Sequence, residues 1–327
     1  MMETNHILEV RDLRTYFSVF DGMEQKTVKA VDGVSFDVTA GDTVAIIGES
    51  GCGKSTLALS ILRVLPESAM VLGGKILFEG EDLLTKSQKE MSRIRGKKIA
   101  MILQDPMMSL NPVFTIGTQI GETLRYHQGL RNQKLSERIQ ELLLDVRIPE
   151  PETRMKQYPH EMSGGMRQRI VGAIALSCGP KLIMADEPTT NLDVTIQLQY
   201  LNLLKDLQKK TGVTLLFITH DLGIVAEMCQ NVIVMYAGKI VERAPVSNIY
   251  DDPAHPYTVA LLKAAFGLQD LSKRNPIKGE PPDLADLPTG CHYHPRCDKK
   301  QKICSKKEPP EKNIGQKRTV KCWLYQV

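Results

Sequence analysis

The sequence predicts an α/β fold in which several strands of a parallel sheet end in polar, ligand-binding residues. An apolar, β-branched segment at 42–47 is followed by a glycine-rich loop and then by a segment with helical periodicity. A second apolar segment, 182–185, leads into Asp186 and Glu187, and a third, in GVTLLFITHDLG, leads into His220. Because ligands collect at the carboxyl ends of parallel strands, we expect these strand ends to share one site.

The glycine-rich loop predicts a phosphate-binding site. Residues 48–55, GESGCGKS, match the pattern G-x-x-x-x-G-K-[ST]. The glycines let backbone N–H groups turn toward phosphate oxygens, and the N-terminus of the next helix adds partial positive charge. In this pattern Lys54 reaches the β- and γ-phosphates, and the Ser55 hydroxyl ligates Mg²⁺. The candidate ATP-binding residues of the loop are Gly48, Ser50, Gly51, Cys52, Gly53, Lys54, Ser55 and Thr56.

Cys52 allows two interpretations within this loop. One is a small residue whose backbone N–H group contacts phosphate. The other is a thiol whose oxidation would block ATP binding. The first interpretation is favoured.

The two acidic residues after the second strand predict the catalytic half of the site. Adjacent carboxylates at a strand end are costly to bury without a role. Asp186 is expected to hold Mg²⁺ through water, and Glu187 to orient or deprotonate the attacking water. His220 is expected to contact the γ-phosphate from the end of the third strand.

Composition indicates an ordinary water-soluble chain with a basic tail. Of 327 residues, 42% are hydrophobic and 24% charged, and no apolar run approaches the ~20 residues needed to span a bilayer. The N-terminus shows no secretory signal, so a cytoplasmic location is expected. Ten Lys/Arg against three Asp/Glu follow from Cys291 onward, although the whole chain carries only +4. Simple solvation is the favoured explanation of that excess over a nucleic-acid or membrane contact.

Two further segments complete a family pattern. Gln104 follows a short apolar strand in MILQDP, and Ser163-Gly164-Gly165-Met166 begins a long helix. With the phosphate loop, the acid pair and the histidine in this order, residues 7–250 resemble the ATP-binding subunits of ABC transporters. The resemblance implies a P-loop NTPase with a RecA-like core, an antiparallel β subdomain and an inserted α-helical subdomain. It places the ATPase domain at 1–250, with the helical insert at about 105–175, and a small irregular Cys-rich C-terminal extension at 251–327.

The resemblance also implies roles that spacing alone does not give. Gln104 contacts Mg²⁺ and responds to the transmembrane partner, while Glu187 is the hydrolytic residue and His220 the switch. The signature of Ser163, Gly164, Gly165 and Met166 contacts ATP held by the opposite subunit, and Asn191, Leu192 and Asp193 form a loop at the dimer interface. Two ATP molecules are then clamped between two head-to-tail subunits.

Two positions bear on how closely the chain follows the family pattern. The signature normally ends in Gln, whereas here Met166 follows, as in the peptide-importer members that it resembles. The family also supplies an aromatic residue that stacks on adenine upstream of the phosphate loop. Tyr16 and Phe17 are both candidates, and alignment of VRDL with the family start favours Phe17.

The segment after Gln104 predicts an amphipathic helix. In KLSERIQELLLDVRI the apolar residues recur at helical spacing, with Ser136 as the expected N-cap. The stripe consists of Leu135, Ile139, Leu142, Leu143 and Val146. Its spacing indicates burial, and the resemblance implies that this subdomain docks a membrane subunit.

The tail contains four of the seven cysteines, Cys291, Cys297, Cys304 and Cys322, spaced C-x5-C-x6-C-x17-C. Disulfides are disfavoured because nothing indicates secretion. Three interpretations of the cysteines remain: a structural zinc site, an iron–sulfur cluster, or four free thiols. No close C-x2–4-C pair, which is typical of zinc sites, is present. The neighbouring lysines are expected to lower the thiol pKa values and favour metal binding.

The tail as a whole resembles the C-terminal extension of dipeptide and oligopeptide importer ATPases, with Pro295-Arg296-Cys297 matching its pattern. That resemblance favours a [4Fe–4S] cluster on the four cysteines over Zn²⁺, with His292 and His294 as possible substitute ligands. It implies ATP and Mg²⁺ as cofactors, and as partners a second ATPase subunit, similar or identical, two transmembrane permeases and, indirectly, an external peptide-binding protein. The chain is then peripheral on the inner face of the cell membrane. The alternative is a soluble ABC-type ATPase that binds nucleic acid through its tail, but no nucleic acid is expected as a partner because stacking rings are few.

Overall fold

A computed structural model describes residues 5–22, 24–190, 192–266 and 277–326. The chain divides into two compact units. The first comprises Met1–Val38, Thr43–Thr85 and Ile218–Val327, and the second comprises Thr39–Asp42 and Lys86–Phe217.

Twelve strands occur in the described residues, and they are numbered in chain order. They are β1 His6–Asp21, β2 Glu24–Thr39, β3 Thr43–Ile47, β4 Ala69–Phe78, β5 Glu81–Asp82, β6 Ile99–Ile102, β7 Leu182–Asp186, β8 Thr214–Ile218, β9 Asn231–Tyr236, β10 Lys239–Pro245, β11 Lys312–Gly315 and β12 Arg318–Val320.

Eleven α-helices occur in the same residues. They are α1 Lys54–Leu62, α2 Gln88–Ile94, α3 Pro106–Ser109, α4 Ile116–Gln128, α5 Asn132–Asp145, α6 Pro151–Arg154, α7 Gly164–Leu176, α8 Val194–Thr211, α9 Leu222–Met228, α10 Val246–Asp251 and α11 Pro256–Phe266.

The first unit contains the expected antiparallel β subdomain. Its sheet has the strand order β2-β1-β4-β5, and β1 pairs with β4 from Leu8 opposite Phe78 to Phe17 opposite Ala69. Burial alternates along the second half of β2, which is the pattern of a sheet with one face on the core.

A second group of strands in the first unit has the order β11-β12-β10-β9-β3. β3 pairs in parallel with β9 and is buried at all five residues, as expected of a strand covered on both faces. The extension is more regular than the sequence predicts, because β11 and β12 form a hairpin that pairs antiparallel with β10. These two strands are short and polar, so the sequence does not predict them.

The second unit contains β8, β7 and β6 in that order, with the last residue of β8 in the first unit. β6 and β7 pair in parallel, from Ile99 opposite Leu182 to Ile102 opposite Ala185. Every residue of β7 is buried, and its last residue is Asp186. A parallel, buried strand that ends in a carboxylate is the local arrangement that the sequence predicts.

The predicted amphipathic helix is α5. Leu135, Ile139, Leu142 and Leu143 are buried in it, and Val146 is buried at its C-cap. The expected N-cap at Ser136 is wrong, because the helix begins at Asn132 after Arg131. Ser136 lies inside the helix, where its hydroxyl accepts a hydrogen bond from Gln140 Nε2 (3.4 Å).

No helix in the described parts of the chain is both long enough and apolar enough to cross a membrane.

Candidate functional site: a phosphate loop and its companion motifs

The phosphate loop between β3 and α1 requires glycine at two positions. Gly48 has φ +155° and Gly53 has φ +103°. A Cβ at Gly48 would lie 2.2 Å from the Met235 carbonyl oxygen, and one at Gly53 would lie 1.9 Å from the Ala30 carbonyl oxygen. Because the backbone passes this close to its neighbours, no side chain fits at either position.

Lys54 lies at the start of α1 and points back along the loop. Its Nζ atom donates hydrogen bonds to the carbonyl oxygens of Gly48 (2.8 Å) and Glu49 (2.9 Å), and the side chain is buried. The Cys52 thiol lies 3.7 Å from the Lys54 ammonium, and burial raises the pKa of this thiol. The loop therefore surrounds one buried cation, which is the charge that a phosphate-binding loop needs.

Glu49 is fixed from two directions, which sequence reasoning missed. Its carboxylate forms a forked ion pair with the Arg296 guanidinium, at 2.7 and 3.0 Å. Its backbone N–H group donates to the Tyr257 hydroxyl at 2.8 Å. Arg296 and Tyr257 lie more than 200 positions away in the chain, so no local pattern predicts these contacts.

In the second unit the structure brings Gln104 and Glu187 together. Gln104 Nε2 and Thr190 Oγ1 donate to the Glu187 carboxylate at 2.9 and 3.0 Å. Glu187 has φ +44°, a left-handed conformation that turns the chain sharply after β7. The preceding residue, Asp186, is buried. The predicted hydrolytic residue is thus held by the residue predicted to sense the transmembrane partner.

His220 belongs to the first unit. It is exposed in the connection between β8 and α9, immediately before Asp221, which caps α9 through its carboxylate. Its position after a buried strand agrees with the sequence-based expectation.

The signature residues form a helix start in the second unit. Ser163 is the N-cap of α7, and its hydroxyl accepts a hydrogen bond from the Met166 backbone N–H group (3.3 Å). Ser163 and Gly164 are exposed, whereas a Cβ at Gly165 would lie 2.6 Å from Ile196 Cγ2. Met166 contributes its backbone N–H group to the cap, as a glutamine there would, so its difference from Gln leaves this helix start intact.

The predicted interface loop lies just before α8. Asp193 is the N-cap of α8 and accepts a hydrogen bond from the Ile196 N–H group (3.0 Å), while Leu192 is half-buried. Asn191 lies outside the described residues.

The two candidate adenine-stacking rings lie next to each other on β1. The Tyr16 hydroxyl donates to the Asp32 carboxylate at 2.7 Å, and burial together with that carboxylate raises the pKa of Tyr16 to about 12. Phe17 is half-buried and pairs with Ala69 of β4. Successive residues of a strand point to opposite faces, so only one of the two rings can face a given ligand.

The four tail cysteines are neighbours. The Cys291 N–H group donates to the Cys304 carbonyl oxygen at 2.8 Å. Burial raises the pKa of the Cys291 thiol to about 12, with further increases from Cys304, Cys322 and Cys297. Burial and the nearby thiols likewise raise the pKa of Cys297 and of Cys322. Lys299 lowers the pKa of Cys297, as expected of the neighbouring lysines, but burial outweighs this effect and the pKa is raised overall.

Their chemistry fits a thiolate-bound metal or cluster, but their side chains do not form a finished site. Among the described residues, no group of three or more His, Cys, Asp or Glu side chains is arranged to hold a metal ion. His292 Nδ1 lies 3.0 Å from the Ala237 carbonyl oxygen, and His294 Nδ1 lies 2.9 Å from that of Cys291. Both histidines are therefore engaged with the backbone.

Comparison with known proteins agrees with this site. Residues 31–190 match the ABC transporter family, and residues 241–304 match the C-terminal region of oligopeptide/dipeptide transporters. The dipeptide transport ATP-binding protein DppD of Bacillus subtilis is 48% identical over 97% of this chain and 94% of its own length. The oligopeptide transport ATP-binding protein AppD of the same organism is 46% identical over 98% of this chain and 97% of its own length.

Solved structures show the same fold. A dimeric structure of MJ0796, described as a bacterial ABC transporter cassette, has a TM-score of 0.64 and 25% identity, and covers 73% of this chain and 98% of its own. CbiO1 of Clostridium perfringens, part of the CbiONQ transporter complex, has the same TM-score and identity, and covers 81% of this chain and 98% of its own.

The fold and the ordered motifs define an ATP-binding cassette. The chain belongs to the ABC transporter family, and within it to the peptide-transporter group of ATP-binding proteins. The alternative of an ATPase acting on nucleic acid finds no support in these matches.

Proposed function

We propose that this chain is the ATP-hydrolysing subunit that powers an importer of dipeptides or oligopeptides. The observation that carries the proposal is the presence of a complete set of cassette motifs in a chain whose residues 241–304 match the oligopeptide/dipeptide transporter C-terminal region. The ATPase domain spans 1–250 and the extension 251–327. The chain works at the inner face of the cell membrane with a second ATPase subunit, two permeases and, indirectly, an external peptide-binding protein.

The loop residues and the strand-end acids divide the work on ATP. Lys54 and the loop N–H groups bind the β- and γ-phosphates, and Ser55, Asp186 and Gln104 serve the Mg²⁺ ion. Glu187 takes the proton from the attacking water, or orients it. His220 contacts the γ-phosphate, and Phe17 stacks on adenine.

The signature supplies a second anion site on the same chain. Ser163 and its glycines cap the 13-residue helix α7, and helix N-termini favour anions. A chain with its own phosphate loop uses this second site on the ATP of its partner subunit, with Leu192 and Asp193 in the adjoining interface. ATP then closes the dimer, and its hydrolysis removes the contacts that hold the dimer shut.

Peptide uptake by the assembled transporter tests this function. Vesicles containing the chain with its permeases, second ATPase subunit and binding protein should accumulate labelled di- to pentapeptides only when ATP is present. Lys54→Ala should abolish uptake because the phosphates lose their principal cation. Lys209→Ala, in the exposed last turn of α8, is the matched control and should transport normally. Intact ATP hydrolysis with no peptide uptake would contradict the peptide assignment, and absent hydrolysis would contradict the ATPase itself.

We further propose that Cys291, Cys297, Cys304 and Cys322 bind a metal centre, a [4Fe–4S] cluster in preference to Zn²⁺. Burial raises the pKa values of Cys291, Cys297 and Cys322, and the neighbouring thiols raise them further because thiolates repel one another. A bound cationic centre removes that repulsion and cross-links a segment with a small core, made of Ala254, Val320 and Cys322 with three half-buried neighbours.

Metal analysis of protein purified without oxygen tests the cysteine proposal. We expect brown protein with visible charge-transfer absorption and stoichiometric iron and sulfide. Cys297→Ser should lose the colour and lower the melting temperature, while Cys178→Ser, a half-buried thiol in the second unit, should keep both. Colourless protein with one zinc would reverse the choice of metal, and metal-free protein would remove the centre.

A further inference from the structure

An arginine of the extension, Arg296, contacts the phosphate loop. We propose that Arg296 is a positioning residue for this loop, acting through Glu49, and that ATP affinity therefore depends on the folded state of the C-terminal extension. Nothing in the catalytic scheme requires this contact, since Arg296 follows the last cassette motif by 76 positions.

The Arg296 guanidinium is held rigidly. Nη1 and Nη2 donate to the two Glu49 carboxylate oxygens at 2.7 and 3.0 Å. The other N–H groups donate to the carbonyl oxygens of Lys278 (2.9 Å) and Gly279 (3.1 Å) and to the Tyr236 hydroxyl (3.3 Å). All five donors of the side chain are thus used, and 5% of it is exposed.

A cluster of tyrosines reinforces the same point of the loop. Tyr236 of β9 and two residues of the extension, Tyr257 and Tyr293, have ring centroids 4.6 to 5.4 Å apart, and all three are buried. The Tyr257 hydroxyl accepts from the Glu49 N–H group, so the loop is held by backbone as well as by side chain. Arg296 also lies over the Tyr236 ring, 5.8 Å from its centroid.

The position of Glu49 gives this contact a functional consequence. Glu49 follows Gly48, and its carbonyl oxygen accepts a hydrogen bond from Lys54 Nζ. A carboxylate in a phosphate loop repels the triphosphate unless a cation neutralises it, and a partly buried pair is weakly screened. Arg296 supplies that cation, so its loss would leave a negative charge beside the phosphates.

The cysteine segment determines where Arg296 lies. Arg296 ends the short helical turn His294–Arg296 and immediately precedes Cys297. The backbone hydrogen bond from Cys291 to Cys304 closes the segment around this turn. Unfolding of the extension would withdraw the guanidinium from Glu49.

Equilibrium titration of the purified full-length chain with a fluorescent ATP analogue tests the proposal. Arg296→Met should weaken binding about tenfold, the size of a lost charge-assisted pair. Adding Glu49→Gln to that variant should restore affinity to within about threefold of wild type, because the unpaired carboxylate is gone. Arg296→Lys, which keeps the charge but not the fork, should fall between wild type and Arg296→Met.

Arg318→Met is the matched control. Arg318 is also a buried arginine of the extension, but its partner is Asp252 at 2.9 Å rather than the phosphate loop. It should leave the Kd for the ATP analogue unchanged even if the melting temperature falls. Wild-type affinity in Arg296→Met, equal losses in the Arg296 and Arg318 variants, or no rescue by Glu49→Gln would each overturn the proposal. Failure of Arg296→Met to fold would leave the comparison of Arg296→Lys with Arg318→Met to decide it.

Discussion

Glu187→Gln should abolish ATP turnover while leaving ATP binding intact. Removal of a general base costs typically 10²–10⁴-fold in rate, so we expect kcat of the assembled complex to fall by about 10²-fold or more. The amide has the shape of the carboxylate but cannot take a proton from water. Phosphate release and equilibrium ATP binding, measured on the same preparation, separate the two effects.

The hydrogen bonds of Glu187 can be kept by a glutamine, so this substitution should leave the local structure unchanged. Gln104 and Thr190 both donate to the same carboxylate oxygen, and a glutamine carbonyl oxygen in its place can still accept both hydrogen bonds. ATP should therefore be bound but not consumed, and the closed dimer should persist in size-exclusion chromatography with Mg-ATP. Glu141→Gln, on the exposed face of α5, provides the comparison and should hydrolyse ATP normally. Hydrolysis at the wild-type rate in Glu187→Gln would remove this residue from the mechanism.

Gly53→Ala should destabilise the first unit and abolish nucleotide binding. Its φ of +103° costs an L-residue about 1–2 kcal/mol. The added Cβ would lie 1.9 Å from the Ala30 carbonyl oxygen, and relief of such an overlap through backbone shifts costs typically a further ~1–3 kcal/mol. Any shift moves the start of α1, where Lys54 and Ser55 lie. Thermal unfolding and ATP titration measure the two consequences.

Gly51→Ala separates backbone strain from steric overlap. Gly51 also has a positive φ, +77°, but no atom lies within 4 Å of an added Cβ. The variant Gly51→Ala should therefore lower the free energy of unfolding only by the cost of the backbone conformation, about 1 kcal/mol. Its melting temperature should fall much less than that of Gly53→Ala. Equal melting temperatures for the two variants would show that the close approach to Ala30 is not rigid.

The sequence was sufficient for features that depend on neighbouring residues. Gly48 and Gly53 reveal a loop because their conformations exclude side chains, and Ser163 reveals a helix start because its hydroxyl caps the next turn. The buried strand before Asp186 was equally evident from its apolar run. In each case the residues that cause the feature lie within a few positions of one another, so a short sequence pattern is enough to predict it.

Features that depend on distant contacts could not be predicted in this way. The Glu49–Arg296 pair joins residues 247 positions apart, and neither residue is unusual in its own segment. The start of α5 at Asn132 was missed because Arg131 makes no side-chain cap, so no capping residue marks it. The raised thiol pKa values in the tail depend on burial, which a run of lysines in the sequence conceals.

The hairpin of β11 and β12 also covers an edge of the sheet to which β10 belongs. Without β11 and β12, strand β10 would present unpaired N–H and C=O groups from Glu242 and Arg243, a template for strand addition by another chain. With them, the outermost strand is the four-residue β11, which begins at Lys312. A short edge strand that begins with a lysine is among the features that discourage strand addition by another chain.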